Sequence, residues 1–228
     1  QLRSFSGLSG YIGDAFSNGG EFQLTGDAYT STEDGGSRAN LTITKNTTID
    51  LNGHTLKISK SEQCFQVQNG AKLTIIDSQA PQETVSNPGG DVYGHVATLE
   101  NDTLTYYITK SEANGTSTTE TLEQHTVSLT GAGKILCKEG SYQVIKVETG
   151  GTLELLSGVL QGADVSHIVY VEGGTLNVSG GYIVGGGSDD RPGGGIFVTG
   201  GAERGKVNIQ DGVVAANRGN FGGGIYVE

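Results

Sequence analysis

Val144-Ile145-Lys146-Val147-Glu148, Ile168-Val169-Tyr170-Val171-Glu172, Gly195-Ile196-Phe197-Val198-Thr199 and Gly224-Ile225-Tyr226-Val227-Glu228 are four copies of one short pattern. Their apolar centres Ile145, Val169, Ile196 and Ile225 recur 24, 27 and 29 residues apart, the spacing of a repeat architecture. Within each copy, apolar and variable residues alternate with the two-residue period of a strand. A Gly-containing turn usually follows, then Leu153-Glu154-Leu155, Leu176-Asn177-Val178 or Val207-Asn208-Ile209. After a second turn come Val159-Leu160, Ile183-Val184 or Val213-Val214. Three short strands per period predict a coil of parallel strands. One copy is too small to bury its own apolar face, whereas stacked copies bury it as a continuous column. The predicted inward columns are Phe65–Ile145–Val169–Ile196–Ile225, Val67–Val147–Val171–Val198–Val227 and Leu73–Leu153–Leu176–Val207. Each buried aliphatic contributes roughly 1.5–3 kcal/mol. The 39 glycines do not fall at every third residue, which excludes a collagen helix. β-Branched residues in register exclude a flexible linker.

The runs Thr48-Ile49-Asp50-Leu51-Asn52-Gly53-His54-Thr55-Leu56 and Gly173-Gly174-Thr175-Leu176-Asn177-Val178-Ser179-Gly180-Gly181 resemble pectin-lyase-like, right-handed parallel β-helix repeat proteins. That family is common among large adhesin-like surface proteins of Gram-positive gut bacteria. The resemblance extends over about residues 20–78 and 131–228. It implies an all-β, right-handed parallel β-helix with three strands per coil and an extracellular or cell-surface setting. It is specific for fold rather than activity, because the same coil carries lyases, hydrolases, tailspikes and adhesins.

With a formal charge of −11 and a pI near 4.7, the chain offers no basic face for phosphates, so nucleic acid is excluded as a partner. No apolar run is long enough to cross a bilayer, so no membrane insertion is expected within these residues. The absence of Met and of a leader-like segment, with a last copy that opens a new coil, reads as a piece of a longer protein. Cys64 and Cys137 are the two cysteines. Their places in the coil allow a disulfide or two small buried thiols.

Residues 1–20 place Phe5, Leu8, Ile12, Ala15 and Phe16 close to a helical stripe, which predicts a short helix capping the open end of the coil. The resemblance implies the same cap. Residues 21–228 then form the β-helix, with Glu21–Leu24 as a strand and Thr25–Asn40 as a polar loop. The pattern breaks at about 78–131, where Leu104–Thr109 and Thr121–Leu129 alternate like strands around Asn114-Gly115. This predicts an inserted β-hairpin with a loose Thr-rich tip.

Between the inward positions of the first strand lie Gln66, Lys146, Tyr170, Phe197 and Tyr226, which must point outward. Tyr170, Phe197 and Tyr226 are therefore expected to form an aromatic ladder, with Glu148, Glu172, Thr199 and Glu228 beside it. Rings next to carboxylates suit a sugar; the same rings equally suit cross-strand packing. The return loops bring Asp164, His167, Asp189, Asp190, Arg191, Asn217, Arg218 and Asn220 to one edge. Asp189 and Asp190 are candidate Ca²⁺ ligands, although Asp, Asn and Gly are also what tight loops select; no other cofactor is implied. His54, His95, His125 and His167 show no metal-ligand spacing.

The family's enzymes imply two chemistries. A polygalacturonase-like site needs Gly-His-Gly and Arg-x-Lys, but Asn52-Gly53-His54-Thr55 lacks the second Gly and Arg-x-Lys is absent. A lyase needs a Ca²⁺ cluster and a base such as Arg191 or Arg218. Glu148 and Glu172 on neighbouring coils have the spacing of a retaining carboxylate pair. The catalytic candidates are thus Glu148, Glu172, Asp189, Asp190 and Arg191. The expected function is a non-catalytic cell-surface adhesin or stalk module. Its ligand is a glycan or another host or cell-surface molecule, met through Tyr170, Phe197, Tyr226 and Glu172. The alternative is a polysaccharide-degrading lyase or hydrolase.

Overall fold

The structure is a computed structural model describing residues 4–32, 37–59, 63–91, 93–137, 143–163, 165–200 and 203–228. The chain starts with β1 (Ser6–Tyr11), one 3-10 turn at Ala15–Asn18, and β2 (Gly20–Tyr29). β3 (Thr42–Ile43), β4 (Thr47–Asp50) and β5 (Thr55–Ile58) form a winding, and β6 (Phe65–Val67) and β7 (Lys72–Ile76) begin the next. The chain then departs through β8 (Gln82–Ser86), β9 (Thr98–Glu100), β10 (Thr103–Asn114) and β11 (Ser117–Ser128). β12 (Lys134–Cys137) completes the interrupted winding. β13 (Gln143–Glu148), β14 (Thr152–Leu155) and β15 (Val159–Gly162) follow, then β16 (His167–Glu172) and β17 (Thr175–Val184). β18 (Ile196–Thr199), β19 (Lys206–Ala215) and β20 (Ile225–Val227) come last.

Gln1–Ala80 with Gly131–Glu228 is one compact unit, and Pro81–Thr130 is another. The first is a parallel β-solenoid of about seven turns. One of its faces is the sheet β3-β6-β13-β16-β18-β20. The other two faces merge into a ten-stranded sheet, because some strands run through the corner between them. In β2, for example, Phe22 pairs with Ile49 of β4 while Ala28 pairs with Leu56 of β5.

The three inward columns form in the expected register. Phe65, Ile145, Val169, Ile196 and Ile225 are successive Cα partners, as are Leu73, Leu153, Leu176 and Val207. Ile145, Val169, Val171 and Leu153 are fully buried, which is how windings too small to fold alone share one dry axis. At the last winding the same positions are open, with Ile225 40% and Val227 68% exposed.

The N-terminal region departs from the sequence expectation. In place of a capping helix over residues 1–20, Ser6–Tyr11 is a strand that pairs in parallel with β2, and only Ala15–Asn18 turns helically. Glycine in a helix interior costs about 1 kcal/mol relative to Ala, and Gly10 and Gly13 adopt φ values of 66° and 50°, outside helical space. Strand pairing satisfies the backbone instead. The apolar stripe still reaches the core: Ile12 and Phe16 are buried, and the Phe16 ring meets Phe22 at 5.1 Å and Phe65 at 5.8 Å. The segment expected to be a loop from Thr25 also differs, since β2 continues to Tyr29.

Corners between the second and third faces are held by buried carboxylates. Asp77 Oδ1 accepts the N–H groups of Gly53 (2.8 Å) and Gln79 (3.1 Å), and Oδ2 accepts Gly133 N–H at 2.6 Å. Gly133 cannot carry a Cβ, which would fall against Leu51 and this carboxylate. One winding earlier, Asp50 Oδ1 accepts Asn52 N–H and Ser78 N–H, both at 3.0 Å, and Oδ2 takes the Gln23 amide and the Ser78 hydroxyl. One winding later, Ser157 Oγ accepts Asp77 N–H at 2.7 Å.

The second unit is a four-stranded antiparallel sheet, β8-β11-β10-β9. Its centre is the expected hairpin, but β10 and β11 pair without interruption to Asn114↔Ser117. The tip is a two-residue turn with Gly115 at φ 64°, tight where sequence suggested a loose loop. Within this unit His125 stacks on Tyr106 at 4.7 Å and shares Glu83 with the Tyr106 hydroxyl. His95 lies 4.5 Å from the Tyr107 ring.

Candidate functional site

The outward positions of the first face form a continuous column, Gln66, Lys146, Tyr170, Phe197 and Tyr226. Gln66, Lys146, Tyr170 and Phe197 each sit between two buried neighbours of their strand, and Tyr226 holds the same register position, so the alternation that makes the core also aims this column at solvent. Tyr170 and Phe197 lie 5.4 Å apart at 33°, and Phe197 and Tyr226 lie 5.5 Å apart at 23°. The first contact is tilted and the second stacked, so the rings pack on one another within the column. All three rings are half-buried rather than laid open. The faces that would receive a sugar are therefore largely engaged within the column, and its outer side presents ring edges and the two tyrosine hydroxyls.

His167 belongs to this column although its spacing does not reveal it. Its ring lies 4.6 Å from Phe197 and 5.8 Å from Tyr170. The Gly193 carbonyl, 3.0 Å from Nδ1, can only accept, so Nδ1 carries the proton. Burial holds the imidazole below its ordinary pKa, and the Arg191 charge acts in the same direction.

Beside the rings runs a polar column in which Glu148, Glu172 and Thr199 are successive partners. Lys146 Nζ pairs with Glu172 at 2.7 Å and lies 5.8 Å from the centre of the Tyr170 ring. Burial works against the lysine charge, yet Glu172, with Glu148 and Tyr170, outweighs it and raises the Lys146 pKa. Burial and the Glu172 charge raise that of Tyr170. Thr199 Oγ1 donates to Glu228 at 3.0 Å. Around the corner, Gln68, Asn69, Glu148, Thr149 and Glu172 line a cleft of about 530 Å³. A second concavity, on the adjoining face, is lined by Glu154, Leu156, Asn177, Ser179 and Asn208 among others, and contains no aromatic ring.

Glu148 and Glu172, the proposed retaining pair, are indeed strand partners, but Glu172 is committed to Lys146 and to the Tyr170 hydroxyl. Asp189, Asp190 and Arg191 lie in an exposed return loop, apart from the glutamates. That edge is knitted by backbone and amide contacts: Asn217 accepts Gly186 N–H and donates to the Ile183 carbonyl, both at 2.9 Å. Asn220 donates to the Asp190 carbonyl at 3.3 Å. At Gly187, φ 96°, a Cβ would collide with the Arg218 carbonyl. Asp164 lies outside the described residues. Among the described residues, no three His, Cys, Asp or Glu side chains converge on a metal-sized site. Cys64 and Cys137 are both buried, and burial raises the Cys64 pKa. His54 stands 3.9 Å from Asp27 at the surface.

No family model, no curated protein and no solved structure matches the chain. Among the described residues, no helix is long and apolar enough to cross a membrane.

Proposed function

We propose that this chain is a non-catalytic stalk or adhesin module of a bacterial surface protein. In this reading it is a right-handed coil of the pectin-lyase-like kind, because parallel crossovers are overwhelmingly right-handed. It touches glycans with the outward column of its first face. The observation that carries the proposal is the unbroken row Lys146–Tyr170–Phe197–Tyr226 flanked by Glu148, Glu172 and Glu228. Such a row offers a rigid surface whose hydroxyls and carboxylates are fixed by the strands beneath them, and rigid presentation lowers the ordering cost of binding. A retaining glycosidase needs two carboxyls free to meet the scissile bond. Glu172 is instead engaged by Lys146 at 2.7 Å, which supports contact rather than cleavage.

The test combines a glycan array with assays for reducing ends and unsaturated products on polysaccharides. Binding that weakens at least tenfold in Tyr170→Phe or Tyr226→Ala, without turnover, is the expected result. Turnover that disappears in Glu172→Gln or Asp190→Asn would establish the enzymatic alternative. Binding untouched by either tyrosine change would remove the column as the contact surface.

A further inference from the structure

The chemistry around the column also points to the class of sugar, an inference that rests on the glycan-contacting reading above. Stacking of Tyr170, Phe197 and Tyr226 on one another leaves hydrogen bonding and charge as the main source of selectivity. The flanking side chains Glu148, Glu172 and Glu228 are carboxylates, which present acceptors to a ligand. The cation within the column, Lys146, is already paired with Glu172 and drawn over Tyr170. His167 is half-buried with its Nδ1 proton on Gly193, so it adds no positive charge near neutral pH. The cleft beside Gln68 and Asn69 is thus walled by Glu148, whose carboxylate has no hydrogen-bond partner among the described residues, and by Glu172.

We infer that this cleft takes a glycan bearing free amino groups, with the sugar ammonium against Glu148, and rejects uronate-bearing chains. A uronate brings a second anion to a wall of anions. An ammonium instead brings a positive charge to Glu148, in a charge-assisted bond. Neutral sugars fall between the two.

The experiment is titration calorimetry of the full chain with three size-matched oligosaccharides: a glucosamine oligomer, its N-acetylated form and an oligogalacturonate. Each is measured at two salt concentrations and with Glu148→Gln. Circular dichroism of the variant checks that it is folded. The expected order is glucosamine over N-acetylglucosamine over galacturonate. Only the first should weaken with salt, and Glu148→Gln should weaken it about tenfold, or ~1.4 kcal/mol, leaving the acetylated sugar unchanged. Galacturonate binding as well as glucosamine, or glucosamine binding indifferent to Glu148→Gln, overturns the inference while leaving glycan contact standing. Binding of none of the three overturns this inference, and an array that also shows no hits removes the parent reading with it.

Discussion

Replacing Asp77 with Ala should be among the most damaging single changes to the solenoid outside its apolar columns. Asp77 is 8% exposed, and its carboxylate accepts three backbone N–H groups from separate segments: Gly53 of the preceding winding, Gln79 as the chain leaves the coil, and Gly133 as it returns. Hydrogen bonds to a charged group are worth roughly 1.5–3 kcal/mol each. They do not add fully, because Gln79 is exposed and Gly53 half-exposed, whereas Gly133 is buried and its N–H would be stranded. A loss of about 3–5 kcal/mol follows. Asp77→Asn separates charge from shape: one oxygen remains, but the amide turns a donor toward another donor, and about 2 kcal/mol should go. Urea unfolding followed by far-UV circular dichroism measures this, since the chain has no Trp. Hydrogen exchange should quicken first at Gly53 and Gly133. A change below about 1 kcal/mol for Asp77→Ala, or full protection of the Gly133 amide in it, would refute the assignment of this carboxylate as the corner's clamp.

The same unfolding assay should separate two equivalent rungs. Ile145→Ala, at a fully buried position, should cost about 2–5 kcal/mol, and Ile225→Ala, 40% exposed, less than about 1 kcal/mol; equal losses would contradict the shared-axis packing. His167 predicts a pH dependence of known sign. Its folded pKa lies below the ordinary 6.5, so its contribution is complete above 6.5 and declines as pH falls toward the folded value, while the unfolded chain takes up the proton first. His167→Gln should flatten this part of the stability profile, and an unchanged slope would count against it. Cys64 and Cys137, both buried, should resist a thiol reagent in the native state and both react once unfolded; rapid labelling of Cys64 in native protein would contradict its raised pKa.

The coil was legible wherever windings repeat one another, because a parallel stack imposes the same inward residue at every level. Legibility failed where a winding is built from small and polar residues. Thr25-Gly26-Asp27 hides the continuation of β2, whose inward residues are Leu24 and Ala28. The glycines of β1 mimic the gaps of a weak helix. β8 escaped notice because Gln82-Glu83-Thr84-Val85-Ser86 has one apolar residue and is exposed throughout; only its pairing with β11 makes it a strand. At the candidate site, alternation alone fixed which residues point outward. That the rings would face one another follows from side-chain torsions that no spacing encodes. His167 joined them because a carbonyl from the next winding, Gly193, holds its ring.

The windings treat added chain very differently at their different corners. Around Gly186, Gly187 and Gly194, backbones pass so closely that a single methyl group has no room, and lengthening there would pry levels apart. The corner after β7 already accommodates the fifty residues of Pro81–Thr130, with both flanks fastened to one side chain. Foreign sequence grafted between Ala80 and Gly131 should therefore be carried without disturbing the rod, and shortening that corner to the Ser157-Gly158 type should leave the windings on either side of it intact.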